Sequence, residues 1–180
     1  MKGRNVPELK LYFPHDAELA EWYVKIRAYR YGFEDQETAE TFARDVSLGA
    51  LVKTEGGIYY LTGIHEHPGN AFGHCFFWDK RTRERVEELR SMTEFGLRAF
   101  ELHRITVILP AANRVTCKWI ERAGYTFEGR LRAYLWYGGT VYDAYIFAYY
   151  SYYSCAVRGL FTSSREQAGY VKTTSPTPKP

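Results

Sequence analysis

The residues of this chain best suited to chemistry fall in three short stretches. The first is 71–78, AFGHCFFW, whose His74 carries a ring that ordinarily titrates near neutrality and can take a proton from an amine. Strand alternation there puts His74, Phe76 and Trp78 on one face, with Cys75 and Phe77 on the other. A histidine on a strand equally serves as a packing residue. The second is the basic run Lys80, Arg81, Arg83 and Arg85, which opens a helix. Free backbone N–H groups, the helix dipole and forked guanidinium donors together suit an acidic group such as a phosphate. The same arginines also fit a solvated first turn. The third is Asn113 to Cys117, where Asn113 is placed to cap a short helix. Cys117 on that helix reads as a small core residue rather than a nucleophile.

These stretches need a scaffold, and the chain spells one out. Residues 8–13 form a short strand stopped by Pro14. Asp16 is the expected N-cap of a helix carrying Leu19, Trp22, Tyr23 and Ile26 at helical spacing. A second helix spans about 37–48 and ends at Gly49. A three-strand meander follows over 50–54, 58–65 and 71–78, broken at Gly56-Gly57 and Pro68-Gly69-Asn70. A long helix covers about 81–102, with Val86, Leu89, Met92, Phe95 and Leu97 in its apolar stripe. Residues 105–109 are almost all apolar, as suits a strand buried on both faces. A short helix over 116–122 closes at Gly124, and a hairpin of 130–137 and 141–150 turns at Gly138-Gly139. After 153 the sequence becomes a polar, Ser/Thr/Pro-rich tail, 154–180. The reading is one mixed α/β domain over 1–153.

Composition narrows the function. At 180 residues with 46% apolar content the chain supports one globular core. A net charge of +3 permits an acidic ligand and does not call for nucleic acid. Three cysteines without metal-like spacing favour neither a disulfide framework nor a zinc site, so no metal is expected. There is no stretch of membrane-span length and no signal-like apolar run at the N-terminus, so the expectation is a soluble, cytoplasmic protein.

The stretch 104–149 carries a resemblance. Asn113-Arg-Val-Thr116, Ala123-Gly124-Tyr125, Glu128-Gly129 and Arg132 resemble the second half of GNAT-family acetyltransferases. The closest flavour is the RimJ and RimL type, the branch that acetylates N-terminal amines of ribosomal proteins. The resemblance implies a central, mostly antiparallel twisted sheet flanked by helices and splayed between its fourth and fifth strands, here 71–78 and 105–109. Acetyl-CoA would lie in that gap as co-substrate, held by Phe77, Trp78, Arg81, Arg83, Arg85, Asn113 and Thr116.

The family's pyrophosphate loop, Gln/Arg-x-x-Gly-x-Gly/Ala, fits best as Arg83-x-x-Val86-x-Glu88, with both small positions lost. Thr116 stands where the N-terminal-acetylating branch often has Ser, near the leaving thiolate. The Tyr that other members use falls at Ile120. His74 is the candidate base, and a backbone N–H of its strand the candidate oxyanion donor. Arg132 and Asp143 would pair across the closing hairpin. The implied activity is acetyl transfer from acetyl-CoA to a primary amine of a protein N-terminus, a lysine or a small molecule. The alternative is a GNAT-fold binding or structural module, for example a subunit of a virus particle. The Tyr-rich end and tail would then meet a neighbouring subunit or a second copy.

Overall fold

The computed structural model describes residues 9–151 apart from 30, 33, 65, 67 and 79–81, and gives residues 82 and 83 as backbone only. Two helices come first, α1 (Asp16–Arg27) and α2 (Ala39–Leu48). Three strands follow: β1 (Ala50–Thr54), β2 (Gly57–Thr62) and β3 (Asn70–Phe77). The chain then runs through α3 (Thr82–Ala99), β4 (Arg104–Pro110), α4 (Arg114–Ala123), β5 (Thr126–Tyr137) and β6 (Thr140–Tyr150). The strands make one sheet in the order β1-β2-β3-β4-β6-β5. Every pairing is antiparallel except β3 with β4.

Sequence periodicity explains the layering. In α1, Leu19, Trp22 and Ile26 recur at spacings of three and four, and all are buried. With Phe42 and Val46 of α2 they cover one face of the sheet, meeting Leu51, Ile58 and Tyr60. The other face meets α3 and α4 through Leu89, Met92, Leu97, Cys117 and Ile120, packed on Tyr59, Leu61, Ile105 and Phe147. β2 lies between the two layers, so Ile58 to Leu61 are all buried. Each such apolar side chain contributes roughly 1.5–3 kcal/mol by leaving water.

The structure corrects several expectations. Residues 9–13 are not a full strand: Leu11 makes an isolated bridge to Val52, and Tyr12 N–H donates to Leu51 O at 2.8 Å. Pro14 lacks an N–H and stops the pairing. The splayed strands expected as fourth and fifth are therefore β3 and β4. α1 is capped by His15 rather than Asp16, which is the first helical residue and places its charge at the positive end of the dipole. α2 starts two residues later than expected, where Thr38 accepts from the Thr41 N–H. β2 ends at Thr62 because Gly63 turns away at φ +69°. α3 ends at Ala99, where Glu101 takes a left-handed φ of +52°. Lys80, Arg81, His65, His67, Cys155 and the expected boundary at 153/154 lie outside the described residues.

The closing hairpin differs most. β5 begins at Thr126, and between Leu131↔Ala144 and Leu135↔Tyr142 three of its residues oppose Asp143 alone. This bulge turns Ala133 to φ +49° and shifts the cross-strand partner. Asp143 therefore takes the Arg130 guanidinium, at 2.7 Å from Nε, and the Ala133 N–H at 2.8 Å, instead of pairing with Arg132. The two bonds hold the Asp143 carboxyl below its usual range, the backbone donor contributing most.

Candidate functional site

β3 and β4 pair over three rungs only, Asn70↔Arg104, Ala71↔Ile105 and Phe72↔Thr106, and then part. The closed end of the fork is clamped by polar side chains. Thr106 Oγ1 donates to Asn70 Oδ1 at 3.0 Å and accepts from Arg104 Nε at 2.9 Å, while Arg104 Nη2 meets Glu128 at 2.5 Å. Beyond the fork β3 remains paired to β2 alone. Trp78 N–H donates back to Gly56 O at 2.9 Å, whereas Phe77 O accepts from Tyr29 on the opposite edge. A strand residue points its N–H and C=O to one edge, and the next residue to the other. Cys75 and Phe77 thus turn their backbone groups toward the gap, where β4 no longer answers them, whereas the Gly73 N–H still belongs to the last rung of the β3–β4 pairing.

The gap is a cavity of about 390 Å³. Gly73 to Phe77 form one wall and Val107 to Pro110 the other. Arg85 and Leu89 of α3, and Asn113, Thr116, Trp119 and Ile120 around α4, make the floor. Tyr29, Tyr31 and Gly32 of the α1–α2 loop, with Tyr137 of β5, complete the lining. Of the residues expected from sequence, His74, Phe77, Arg85, Asn113 and Thr116 meet here. Trp78 does not: it stacks on Trp22 at 6.4 Å, with Lys25 Nζ 5.6 Å from its ring centroid. The Arg83 side chain and all of Arg81 fall outside the described residues.

Each lining group has a local cause. Asn113 caps α4, its Oδ1 accepting from Thr116 N–H at 3.4 Å, and Gly124 ends the helix at φ +106°. Thr116 therefore sits in the first turn, at the cavity floor. Ile120, one turn on, is fully buried. His74 stacks on Tyr60 at 4.6 Å, and its Nε2 lies 3.1 Å from Thr62 Oγ1. Burial holds its pKa down to about 4, so the ring is neutral at pH 7. Burial also pushes the Cys75 thiol up to about 12, which removes thiolate chemistry there. Tyr137 is kept protonated, chiefly by burial and also by the nearby Glu34 charge.

Arg85 is the unexpected member. It is 2% exposed although it lies in the second residue row of a helix start that reads as solvated. Its guanidinium lies 4.8 Å from the Phe77 ring centroid and bonds Glu88 at 2.5 Å. Val86 packs against the core, in keeping with its place in the apolar stripe, and Glu88 is turned to Arg85. The orphan amides of α3 belong to its first turn, so those of Val86 and Glu88 are already spent inside the helix.

Sequence reasoning missed the α1–α2 loop. Tyr29, Tyr31 and Gly32 form a Tyr/Gly cluster between two helices, a signal that was present and unused. Tyr31 meets Tyr137 and Tyr142 edge-on at 5.8 and 5.6 Å.

No family model matches the sequence, and no curated protein matches it. Solved structures do match. Spermidine N-acetyltransferase from Vibrio cholerae, in complex with CoA and spermine, superposes with a TM-score of 0.63 at 15% identity, covering 79% of this chain and 95% of that one. RimJ from Mycobacterium smegmatis, in complex with CoA-disulfide, gives 0.63 at 16% identity, covering 87% and 90%. The chain has the GNAT acetyltransferase fold. The ribosomal-protein-S5-alanine acetyltransferase from Vibrio fischeri fits equally, at 0.63 and 14% identity over 81% and 94%. Among the described residues no cluster of metal-ligating side chains occurs. No helix among them is long and apolar enough to cross a membrane.

Proposed function

We propose that this chain is an acetyl-CoA-dependent N-acetyltransferase acting on a primary amine. The observation that carries the reading is the fork itself, which leaves the Cys75 and Phe77 amides beside a cavity floored by Asn113 and Thr116. The thioester carbonyl of acetyl-CoA lies against β3. The amine, having lost a proton to a water relay, attacks the carbonyl carbon, and the C=O electron pair moves onto oxygen. A β3 backbone N–H holds that oxyanion. The intermediate collapses, the C–S bond breaks, and the thiolate leaves. The Thr116 hydroxyl hydrogen-bonds the departing sulfur and relays to it the proton that the attacking nitrogen sheds, so that amide and thiol both leave neutral. His74, being neutral, serves as a hydrogen-bonding member of the relay rather than a strong base. Tyr29, Tyr31 and Tyr137 wall the side from which an amine enters.

Calorimetric titration with acetyl-CoA, followed by a thiol-release assay against a panel of amines, tests this. Micromolar binding with amine-dependent thiol release is expected. No binding at millimolar acetyl-CoA overturns it. The second reading, a GNAT-fold binding module, draws on Ile120, which fills with hydrocarbon a place where a phenol acid would serve. Binding without thiol release for any amine would favour that module.

A further inference from the structure

The acyltransferase reading leaves open which amines enter, and this inference rests on that reading. We infer that the acceptor is a monoamine carrying an apolar ring on a short tether, as in an arylalkylamine, rather than a polyamine. The cavity passes through the sheet at the fork, and its two ends differ. Toward the α1–α2 loop its walls are Phe76, Ile108, Pro110, Tyr29, Tyr31 and Tyr137. Alternation along β3 and β4 sets Phe76 and Ile108 on this face, while Val107 packs toward α3 and α4. His74 beside them is neutral, and among the described residues lining the cavity none bears a carboxylate. The acids of the loop are turned elsewhere. Asp35 accepts the Gly138 and Gly139 N–H groups, Glu34 the Trp136 N–H at 3.4 Å, and Glu37 the Thr41 hydroxyl at 2.8 Å. Burial also raises the Glu34 carboxyl, so the charge nearest Tyr137 is itself disfavoured. A second ammonium entering here would leave water without a counter-charge, which is costly. A ring is better served. Tyr31 meets Tyr137 and Tyr142 edge-on at 5.8 and 5.6 Å, so an incoming ring extends an edge-to-face cluster already assembled. Desolvation of the tethered amine among such groups disfavours its ammonium form, as attack on a thioester requires.

The test follows thiol release from acetyl-CoA with 2-phenylethylamine, ethylamine and 1,4-diaminobutane, and compares kcat/KM. In the parent, 2-phenylethylamine should exceed ethylamine by about 10- to 100-fold, the range for burying one ring. The diamine should do no better than ethylamine. Tyr31→Ala should shrink the advantage of the ring by about 2- to 10-fold, the range of one aromatic contact, and Tyr31→Phe should retain it. Folding is checked by circular dichroism. Where Tyr31→Ala does not fold, Tyr29→Ala, at a position 47% exposed, is read in the same way. Equal kcat/KM for 2-phenylethylamine and ethylamine overturns the inference and leaves the acyltransferase reading standing. So does a diamine that outruns 2-phenylethylamine, or an advantage that survives loss of the tyrosine ring. No thiol release with any of the three amines also overturns it, and if the parent fails to bind acetyl-CoA as well, the acyltransferase reading falls with it.

Discussion

Asp35 holds Gly138 by its backbone: one carboxylate oxygen accepts the Gly138 N–H at 2.7 Å, and the other accepts the Gly139 N–H at the same distance. Asp35 N–H in turn donates to Trp136 O at 3.0 Å. The α1–α2 loop is thereby fastened to the tip of the β5–β6 hairpin, and the tyrosines of both segments form one rim of the cavity. Asp35→Ala should cost about 1–2 kcal/mol, as expected for two solvent-exposed bonds to a carboxylate. At this chain length that lowers the melting midpoint by about 2–8 °C. Scanning calorimetry checks it, and an unchanged midpoint would show that the fastening carries no stability.

The proposed function gives Asn113 two separable duties. As an N-cap it is replaceable by Asp, which caps equally well, whereas Ala costs about 0.5–2 kcal/mol. As a ligand contact it is not replaceable by Asp, which loses the amide donor and adds a negative charge beside an acidic ligand. Asn113→Asp should keep the parent's melting temperature and weaken acetyl-CoA binding by tenfold or more, on the order of one charged hydrogen bond. Parent-like affinity in that variant would confine Asn113 to capping.

Thr116→Val keeps shape and removes the hydroxyl. Turnover should fall about 100-fold, the low end for a group that handles a proton, while acetyl-CoA affinity stays within about twofold. Steady-state kinetics alongside calorimetry separate the two. Equal kcat would remove Thr116 from the chemistry.

His74 makes stability depend on pH with a definite sign. Its folded pKa, about 4, lies below the ordinary value of 6.5, because burial disfavours the charged ring. Between those values the unfolded chain holds a proton that the folded chain lacks, so stability rises with pH through that window. The full shift amounts to about 3 kcal/mol, lost as pH falls from about 6.5 to about 4 and constant above it. Urea titrations at pH 7.5 and 5 should show the loss in the parent. They should show less of it in His74→Gln, and an equal slope in both would mean that another group is responsible.

Much of the scaffold could be read in advance, because hydrophobic period and turn chemistry are local. Leu19, Trp22 and Ile26 announce α1, Ile105 to Leu109 announce a doubly covered strand, and Gly138-Gly139 announces the hairpin turn. Asn113, Thr116 and Gly124 bracket α4 for the same reason. What escaped was set by distant partners. The bulge opposite Asp143 leaves no signature in Arg130 to Leu135, and it sends the carboxylate to Arg130 instead of Arg132. Arg85 looks like any exposed helix-start cation until the β1–β2 turn is folded over it, since its seat exists only because Gly56 has no side chain. Tyr29 and Tyr31 read as loop aromatics, and only the fastening of that loop to the hairpin brings them to the cavity.

With three rungs joining β3 to β4, the sheet is in effect two leaflets, β1-β2-β3 and β4-β6-β5, sharing a short spine at Asn70 to Phe72. Any molecule lodged between them touches both and so acts as a splice. Its binding free energy adds directly to the cohesion of the leaflets, and thermal resistance should climb logarithmically with its concentration. Occupancy of the fork is then a matter of the sheet's cohesion as well as of chemistry.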